Sequence, residues 1–520
     1  MRMPSINSLF NGMRKAQKVS KSNLSEDWDV IIIGSGMGGC SAGTLLSKDN
    51  KRVLVLEAAL HPGGCSSSYT RKGVVYESGA TTLVGFDEHQ PLWYLEQCTG
   101  IQIPREELNP SMTVWERDHE EPLIRIKNRE EWIKIVCDRF GEAKAQKEFW
   151  MEEFRDNDRI WQISLKNRAF PPAHFFDWLK LPFANSLRDL FLLPYMRRSV
   201  ANVAKSFGIR NESFYSFLDE QLMITAQAPS ADTPFLFGAP AITYPNASNY
   251  YVPGGLIEMI YCCLDYIEDN GGKFVNKQRV TSIVKESRGF QVRTNEGLQV
   301  SAPIVVSNAP IWNMPEMTSG SLKEYFENEA KKYNEAWGAF TAGALISDKL
   351  EEGLSLHHQL QLPKDHPVRE WISDSFFVSI SKRGDVERAP EGYRALNIST
   401  HTVADRWFDL DKETYDQVKQ QVIDYLVNHI KKVLPGAHDA EWKQVDAATP
   451  RTWEQWVYRK KGRVGGIPQS MSRAIWDWTS PVTPEKGLYL VGDTTYPGQG
   501  IPGVTLSGIN VYYRICNDHK

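Results

Sequence analysis

The chain has 520 residues, more than one compact core usually holds, since domains run about 100–200 residues; two domains sharing a large core are expected. The 60 basic and 64 acidic side chains leave a net charge of −4, so no global field favours nucleic acid. Seven scattered cysteines without a Cys-x-x-Cys pair argue for a reducing, cytoplasmic setting and against a disulfide framework or a metal site.

Residues 1–26 precede the fold pattern and carry Arg2, Arg14, Lys15, Lys18 and Lys21 against one acid, Glu26. They lack the apolar core of a secretory signal. A disordered tail, a surface anchor using Leu9, Phe10 and Met13 beside those cations, and an organelle transit peptide are the readings they allow. No run in the chain approaches the ~20 apolar residues that span a bilayer.

The pattern begins at Asp27. Asp29-Val30-Ile31-Ile32-Ile33 reads as a strand buried on both faces. Gly34-Ser35-Gly36-Met37-Gly38-Gly39 follows and matches G-x-G-x-x-G; then come a small-residue helix from Cys40 to Leu46 and a strand Val53-Leu54-Val55-Leu56 ending at Glu57. Each part has a mechanical task. Gly34 makes the tight turn, Gly36 lets backbone approach a pyrophosphate, and Gly39 lets helix and strand pack closely. Met37 and Gly38 open the helix, whose free N–H groups and positive dipole end face the phosphates. Glu57 can accept hydrogen bonds from the adenosine ribose hydroxyls and would repel a 2′-phosphate, which disfavours NADP.

Further along, Gly63-Gly64-Cys65-Ser66 forms a second glycine-rich turn, and Tyr76-Glu77-Ser78-Gly79-Ala80-Thr81-Thr82 leaves a strand through small residues. Residues from about 105 to 250 and about 335 to 460 lack glycine-rich signals and hold most of the Trp. Within them, Phe170 to Arg198 mixes aromatics and leucines with Lys180, Arg188, Arg197 and Arg198, a composition suited either to monotopic insertion or to a core helical pair. His357 and His358 are adjacent, do not converge as metal ligands, and are expected on the surface or in a loop. No G-x-S-x-G supports a serine triad. Between the two stretches, Tyr251-Val252-Pro253-Gly254-Gly255 precedes a helix from Leu256 to about Asn270. Strands follow at Lys273–Val275, around Val280 and at Ile304-Val305-Val306-Ser307. Near the end, a strand Gly487 to Val491 delivers Gly492 and Asp493, and Pro497-Gly498-Gln499-Gly500-Ile501-Pro502-Gly503 leads into a helix from Val504 to about Ile515.

On these segments the chain resembles the phytoene desaturase, carotenoid isomerase and retinol saturase group of flavoproteins, distant relatives of the monoamine oxidases. The likeness covers about residues 27–100, 250–310 and 485–515. It implies an α/β fold: a Rossmann-type FAD-binding domain in three ββα layers with a discontinuous α+β substrate domain. The implied segments are a basic tail (1–26), FAD-binding parts at 27–105, 250–335 and 461–520, and substrate-domain parts at 106–249 and 336–460. By the same likeness Gly63, Gly64, Cys65 and Ser66 lie along the pyrophosphate and ribityl chain, and Gly79, Ala80 and Thr81 beside the flavin ring. There Tyr76 and Glu77 replace the group's usual Phe and Asp, and Glu77 is the one ionisable residue expected near the ring. The backbone of Val280 would meet the adenine. Gly492 and Asp493 would reach the ribityl or phosphate region. The helix entered through Gly500, Ile501, Pro502 and Val504 would aim its N-terminus at the flavin pyrimidine and stabilise the reduced, negatively charged ring.

The resemblance implies FAD held non-covalently, since no cysteine lies between Cys263 and Cys516 to link it. The implied activity is oxidoreduction of an apolar polyene: carotenoid desaturation or cis–trans isomerisation. Such a hydrocarbon needs no ion pair, so the sequence names no catalytic acid or base. The alternatives are a retinol saturase-like reductase, a flavin amine oxidase, and an FAD-free prenyl-binding carrier of the GDP-dissociation inhibitor kind. The expected partners are the polyene and, peripherally, a membrane; the oligomeric state is left open.

Overall fold

The computed structural model describes residues 27–167, 170–173, 177, 179, 187–333, 336–474 and 477–519. The tail at 1–26 lies outside them. In the strand Val30–Ile33 every residue is buried, yet successive side chains of a strand point to opposite faces. Val30 and Ile32 pack with Leu45, Ile260, Leu264 and Ile509. Ile31 and Ile33 pack with Ile283, Phe290 and Val300. A strand covered on both sides has no solvent face, which is why its sequence runs apolar without alternation.

Its sheet is five-stranded and parallel throughout, in the order Lys273–Val275, Val53–Leu56, Val30–Ile33, Ile304–Ser307, Leu488–Leu490. Helices Met37–Lys48, Ile257–Asp269 and Ile501–Asp518 cover one face. The antiparallel sheet Val280–Glu286, Gly289–Thr294, Gln299–Ala302 covers the other. These are the three ββα layers expected from the sequence.

A second body is built on a seven-stranded sheet. Its order is Trp442–Ala448, Trp337–Ser347, Tyr393–Val403, Ser375–Ile380, His357–Gln361, Met112–Trp115, Leu123–Arg125. Only the pairing of His357–Gln361 with Met112–Trp115 is parallel. Alternation again assigns the faces. Phe340, Ile346, Val378 and Ile398 pack on the helix Lys412–Val433 through Ile423, Leu426 and Ile430. The opposite face, carrying Thr341, Phe377 and Ser399, turns to the interior; Phe377 meets helices Ala143–Lys166, Glu212–Ala226 and Phe235–Thr243 in a core rich in Trp132, Trp150, Phe214 and Phe217. Much of the aromatic supply is therefore packing.

The two bodies are tied by a buried carboxylate. Glu77 ends the strand Val74–Glu77 and accepts hydrogen bonds from Ser68 Oγ at 2.5 Å and from the Leu256 N–H at 3.2 Å. It also pairs with Arg388 at 2.9 Å, both side chains being at most 4% exposed. Leu256 adjoins a helix on the parallel sheet, whereas Arg388 belongs to the seven-stranded body. This corrects the expectation that Glu77 stands beside a flavin ring: its charge is consumed by a structural lock, because a buried carboxylate is stable only where a cation and donors surround it. Arg388→Ala, which leaves that carboxylate without its cation, is expected to cost about 3–5 kcal/mol, and Arg388→Ala with Glu77→Gln to recover part of the loss. Chemical denaturation checks both; a single-variant cost below about 1 kcal/mol, the value of an exposed pair, would refute the lock.

Candidate active site

Open α/β sheets bind ligands beyond the carboxyl ends of their strands. Here the ends of Val30–Ile33, Val53–Leu56, Ile304–Ser307 and Leu488–Leu490 run into Gly34, Glu57, Asn308 and Gly492, and all four residues line one cavity of about 960 Å³. That volume is at the top of the roughly 300–1,000 Å³ typical of small-molecule sites. The cavity continues from the parallel sheet to the interior face of the seven-stranded sheet and the helices packed over it.

The glycine loop is shaped by close approach. Gly36 caps the helix Met37–Lys48 without any side-chain hydrogen bond, and no acidic residue occupies the first turn. The helix end thus presents bare N–H groups and a positive dipole end to the cavity. A Cβ on Gly36 would collide with the side-chain amide of Asn308, and one on Gly38 would lie 3.1 Å from Gly492 Cα. Gly39 sits behind the cavity: a Cβ there would meet Gly34 O at 2.5 Å and Ile32 Cγ2 at 3.0 Å. Its task is helix–strand packing, as read from the motif. Glu57, buried at the end of its strand, accepts from the Ser35 N–H at 2.8 Å, from Ser35 Oγ at 2.6 Å and from the Ala59 N–H at 2.8 Å. These bonds hold its carboxylate in one orientation at the cavity wall.

The second turn lies against the first. Gly63 and Gly64 both have left-handed φ, +107° and +59°, which favours glycine there. Gly63 N–H donates to Ser35 Oγ at 3.2 Å. The Gly79 to Thr81 segment is laid on this turn through Ala80 N–H to Cys65 O at 2.9 Å. Gly63, Gly64, Cys65, Ser66, Gly79, Ala80 and Thr81 all line the cavity. So do Gly34, Gly36, Met37, Gly38, Glu57, Val280, Gly492, Asp493, Gly500, Ile501, Pro502 and Val504. The C-terminal helix begins at Ile501, with Pro502 in its first turn and no side-chain cap, so its N-terminus also faces the cavity bare. Its start lies three residues before the Val504 read from the sequence, because proline is well suited to the first helical turn.

Two cavity residues escaped the sequence reading. Asn308 follows the fourth parallel strand and projects its amide among Gly36, Gly38 and Gly492; its place at a strand's carboxyl end is the signal that could have found it. Arg459 pairs with Asp493 at 2.7 Å, the two side chains 10% and 16% exposed. Burial opposes the Arg459 charge, but Asp493 and Cys65 outweigh that and hold its pKa above the usual range. No local motif marks Arg459; only the path of the chain brings it to Asp493.

His357 and His358 are neither surface nor loop residues. Both are buried on the strand His357–Gln361, pointing to opposite faces. Burial pushes both down to about 3, so the imidazoles are neutral. His357 Nδ1 is 2.9 Å from Ser379 Oγ, and His358 Nδ1 accepts from Trp115 Nε1 at 3.2 Å. No cluster of three or more potential metal ligands occurs among the described residues.

Two bare helix ends, glycines that admit close backbone approach, and a ribose-ready carboxylate fit the diphosphate and adenosine of a dinucleotide. A cavity running on past that cradle leaves room for a flavin ring and a substrate. The class so defined is an FAD-dependent oxidoreductase on a ββα nucleotide fold. The comparisons agree. The model of the flavin containing amine oxidoreductase family matches residues 37–516, and the chain belongs to that family. It is 27% identical over 504 residues to the chloroplastic prolycopene isomerase of Daucus carota, covering 95% of this chain and 81% of the relative. To the all-trans-retinol 13,14-reductase of Danio rerio it is 25% identical over 517 residues, covering 91% and 83%. The structure of an oxidoreductase from Methanosarcina mazei superposes with a TM-score of 0.60 at 18% identity, covering 93% of this chain and 100% of that one.

FAD is the cofactor, and when bound it supplies the acceptor and donor of a hydride or of electrons. Gly36→Val is expected to leave a folded protein without bound FAD, since the branched side chain would intrude on the phosphate cradle and on Asn308. Flavin absorbance after gel filtration reads the result; wild-type occupancy would show that the loop does not hold the diphosphate.

Proposed function

We propose that this FAD-dependent oxidoreductase acts on an apolar polyene, by desaturation or cis–trans isomerisation. The observation that carries the reading is the uncharged stretch of cavity wall supplied by three helices and the interior face of the seven-stranded sheet. From the helices it takes Ile160, Trp161, Ile224, Leu236 and Phe237, and from the seven-stranded sheet Thr341 and Phe377. Among the described residues these helices and this sheet bring one ionisable side chain to the cavity, His401, which burial pushes down to about 4 and so keeps neutral; Tyr244, Glu454, Arg459 and Lys460 line the cavity elsewhere. Such a wall suits a hydrocarbon, which has no polar group to desolvate, and is costly for an ammonium, which would lose hydration without a carboxylate to meet it. The names of the sequence relatives point the same way.

In this reading the FAD-binding body comprises residues 27–105, 250–335 and 461–520, and the substrate body 106–249 and 336–460. Glu57 accepts from the ribose hydroxyls. Gly34, Gly36, Met37 and Gly38 admit the diphosphate, and Val280 borders the adenine. Gly63 to Ser66 follow the ribityl chain with Gly492 and Asp493, and the helix entered at Gly500, Ile501, Pro502 and Val504 steadies the pyrimidine. Arg459 balances Asp493, so that region stays close to neutral. The protein contributes position, exclusion of water and fixed dipoles. Anaerobic incubation with poly-cis-lycopene, phytoene and retinol, following polyene and flavin spectra together, tests the assignment. The expected outcome is isomerisation or desaturation of a long carotenoid. Unchanged polyenes together with flavin bleaching by a primary amine would replace the reading with amine oxidation.

A hydrocarbon of this kind resides in a bilayer, and the surface beside the cavity at Leu192 is suited to one. In the 3-10 helix Leu187–Tyr195, Phe191 is 68% and Leu193 55% exposed, while Leu192 between them is buried against the cavity. Leu179 is likewise exposed, and Arg197 stands nearby in sequence. No helix among the described residues is long and apolar enough to cross a membrane; contact would be peripheral, the apolar side chains dipping below the headgroups. The other residues read as part of this surface between 174 and 186, apart from Asp177 and Leu179, lie outside those described. Phe191→Glu with Leu193→Glu should abolish co-flotation with anionic vesicles while FAD stays bound. Undiminished flotation would place the membrane contact elsewhere or remove it.

A further inference from the structure

Two polar groups on the interior face of the seven-stranded sheet, Ser379 and His357, line up behind the cavity residue Thr81. Thr81 lines the cavity in the segment laid over the Gly63–Ser66 turn. Behind it Ser379, on the strand Ser375–Ile380, donates through Oγ to Thr81 Oγ1 at 2.7 Å. Behind Ser379 stands His357 on the neighbouring strand, its Nδ1 2.9 Å from Ser379 Oγ. The register makes this possible: His357 pairs directly with Ser379 in the antiparallel ladder, so their side chains share a face.

Proton positions along the row follow by elimination. A hydroxyl has one proton. Ser379 spends its proton on Thr81, so the bond to His357 must be donated by Nδ1–H. The imidazole is neutral, so Nε2 carries no proton; it is buried and without a hydrogen-bond partner. The ring is kept in this state by burial and by the adjacent Arg388 guanidinium, and is held in orientation by stacking on Phe377. Each hydroxyl therefore accepts from behind and donates forward. Thr81, the last member, accepts from Ser379 and keeps its own proton for a partner outside the row, and it is the member that borders the cavity.

We propose that His357, Ser379 and Thr81 form a one-way hydrogen-bond relay that presents the Thr81 hydroxyl to the flavin as a fixed donor. Thr81 is the group that touches the cofactor; Ser379 and His357 are positioning residues acting through it. Chained donors polarise one another, and a donor to an electron-rich acceptor gains most when that acceptor is charged. The donor should favour reduced flavin over oxidised flavin and raise the reduction potential. The proposal rests on FAD occupying this cavity and is independent of which substrate is used.

The test is the two-electron midpoint potential of bound FAD, from reductive titration against a reference dye, in Thr81→Val, Thr81→Ser and Ser379→Ala holoprotein. Thr81→Val should lower the reduced-to-oxidised ratio roughly tenfold, a fall of about 30 mV. Ser379→Ala should move it the same way by less, and Thr81→Ser should restore the wild-type value. An unchanged potential in Thr81→Val at full FAD occupancy overturns the proposal. So does a shift in Thr81→Val with none in Ser379→Ala, which would leave Thr81 acting without the relay. If Thr81→Val does not fold, Ser379→Ala decides alone, since Ser379 does not border the cavity: a fall supports the relay and no change overturns it. Wild-type protein that takes up no FAD would instead sink the cofactor reading itself, a different failure from an unmoved potential.

Discussion

The structure depends on a contact between backbones that side chains would forbid. The glycine loop at the front of the chain and the strand and helix at its end approach until a Cβ on Gly38 would stand 3.1 Å from Gly492 Cα, and a Cβ on Gly508 would stand 2.6 Å from Gly38 O. Only glycine permits this spacing. Because these residues are small, the helices Met37–Lys48 and Ile501–Asp518 cross closely and the two bare N-termini border a single cavity. The electrostatic character of the cradle follows from that arrangement: two positive dipole ends, each worth a few tenths to one kcal/mol toward an anion, act where a diphosphate and a reduced ring would carry negative charge.

Around that contact the fold separates two kinds of burial. The parallel sheet is covered on both faces and supplies rigidity at its strand ends. The seven-stranded sheet is covered on one face by the helix Lys412–Val433 and leaves the other to close the cavity. Charges at the site are matched pairwise: Asp493 with Arg459 and, away from the cavity, Glu77 with Arg388. Lys460 pairs with Glu316 in the same way at 2.7 Å, and the helices Ala143–Lys166, Glu212–Ala226 and Phe235–Thr243 bring no charged side chain to the cavity. A site of this kind favours chemistry in which the cofactor carries the charge changes and the protein supplies shape and fixed dipoles.

Much of the site was legible because its residues are required by local geometry. Gly36 and Gly39 are specified by backbone approach and by helix–strand packing, and Glu57 by its place at a strand end; each requirement acts within a short stretch of chain. The small residues Gly79 and Ala80 were read from the family likeness instead. Glu77 was misread because the family likeness runs its segment beside the flavin ring; its partner Arg388 is distant in sequence and carries no motif. His357 and His358 were misread because a polar pair suggests exposure, and nothing local shows that Ser379 and Trp115 stand ready as partners. Arg459 and Asn308 could be recognised only once the strand ends and loops had been brought together.

By itself, then, the sequence determined the strands, glycine turns and helix starts of the ββα nucleotide fold, because these are governed by interactions between near neighbours, and the family resemblance carried by those segments pointed to FAD. The tertiary structure alone decided which charges are neutralised, which face of the seven-stranded sheet meets the cavity, and how Thr81, Ser379 and His357 come into line. Those outcomes depend on pairing between residues far apart in the chain, such as Glu77 with Arg388 and Thr81 with Ser379, and such pairing follows from strand register and chain path, which leave no local mark.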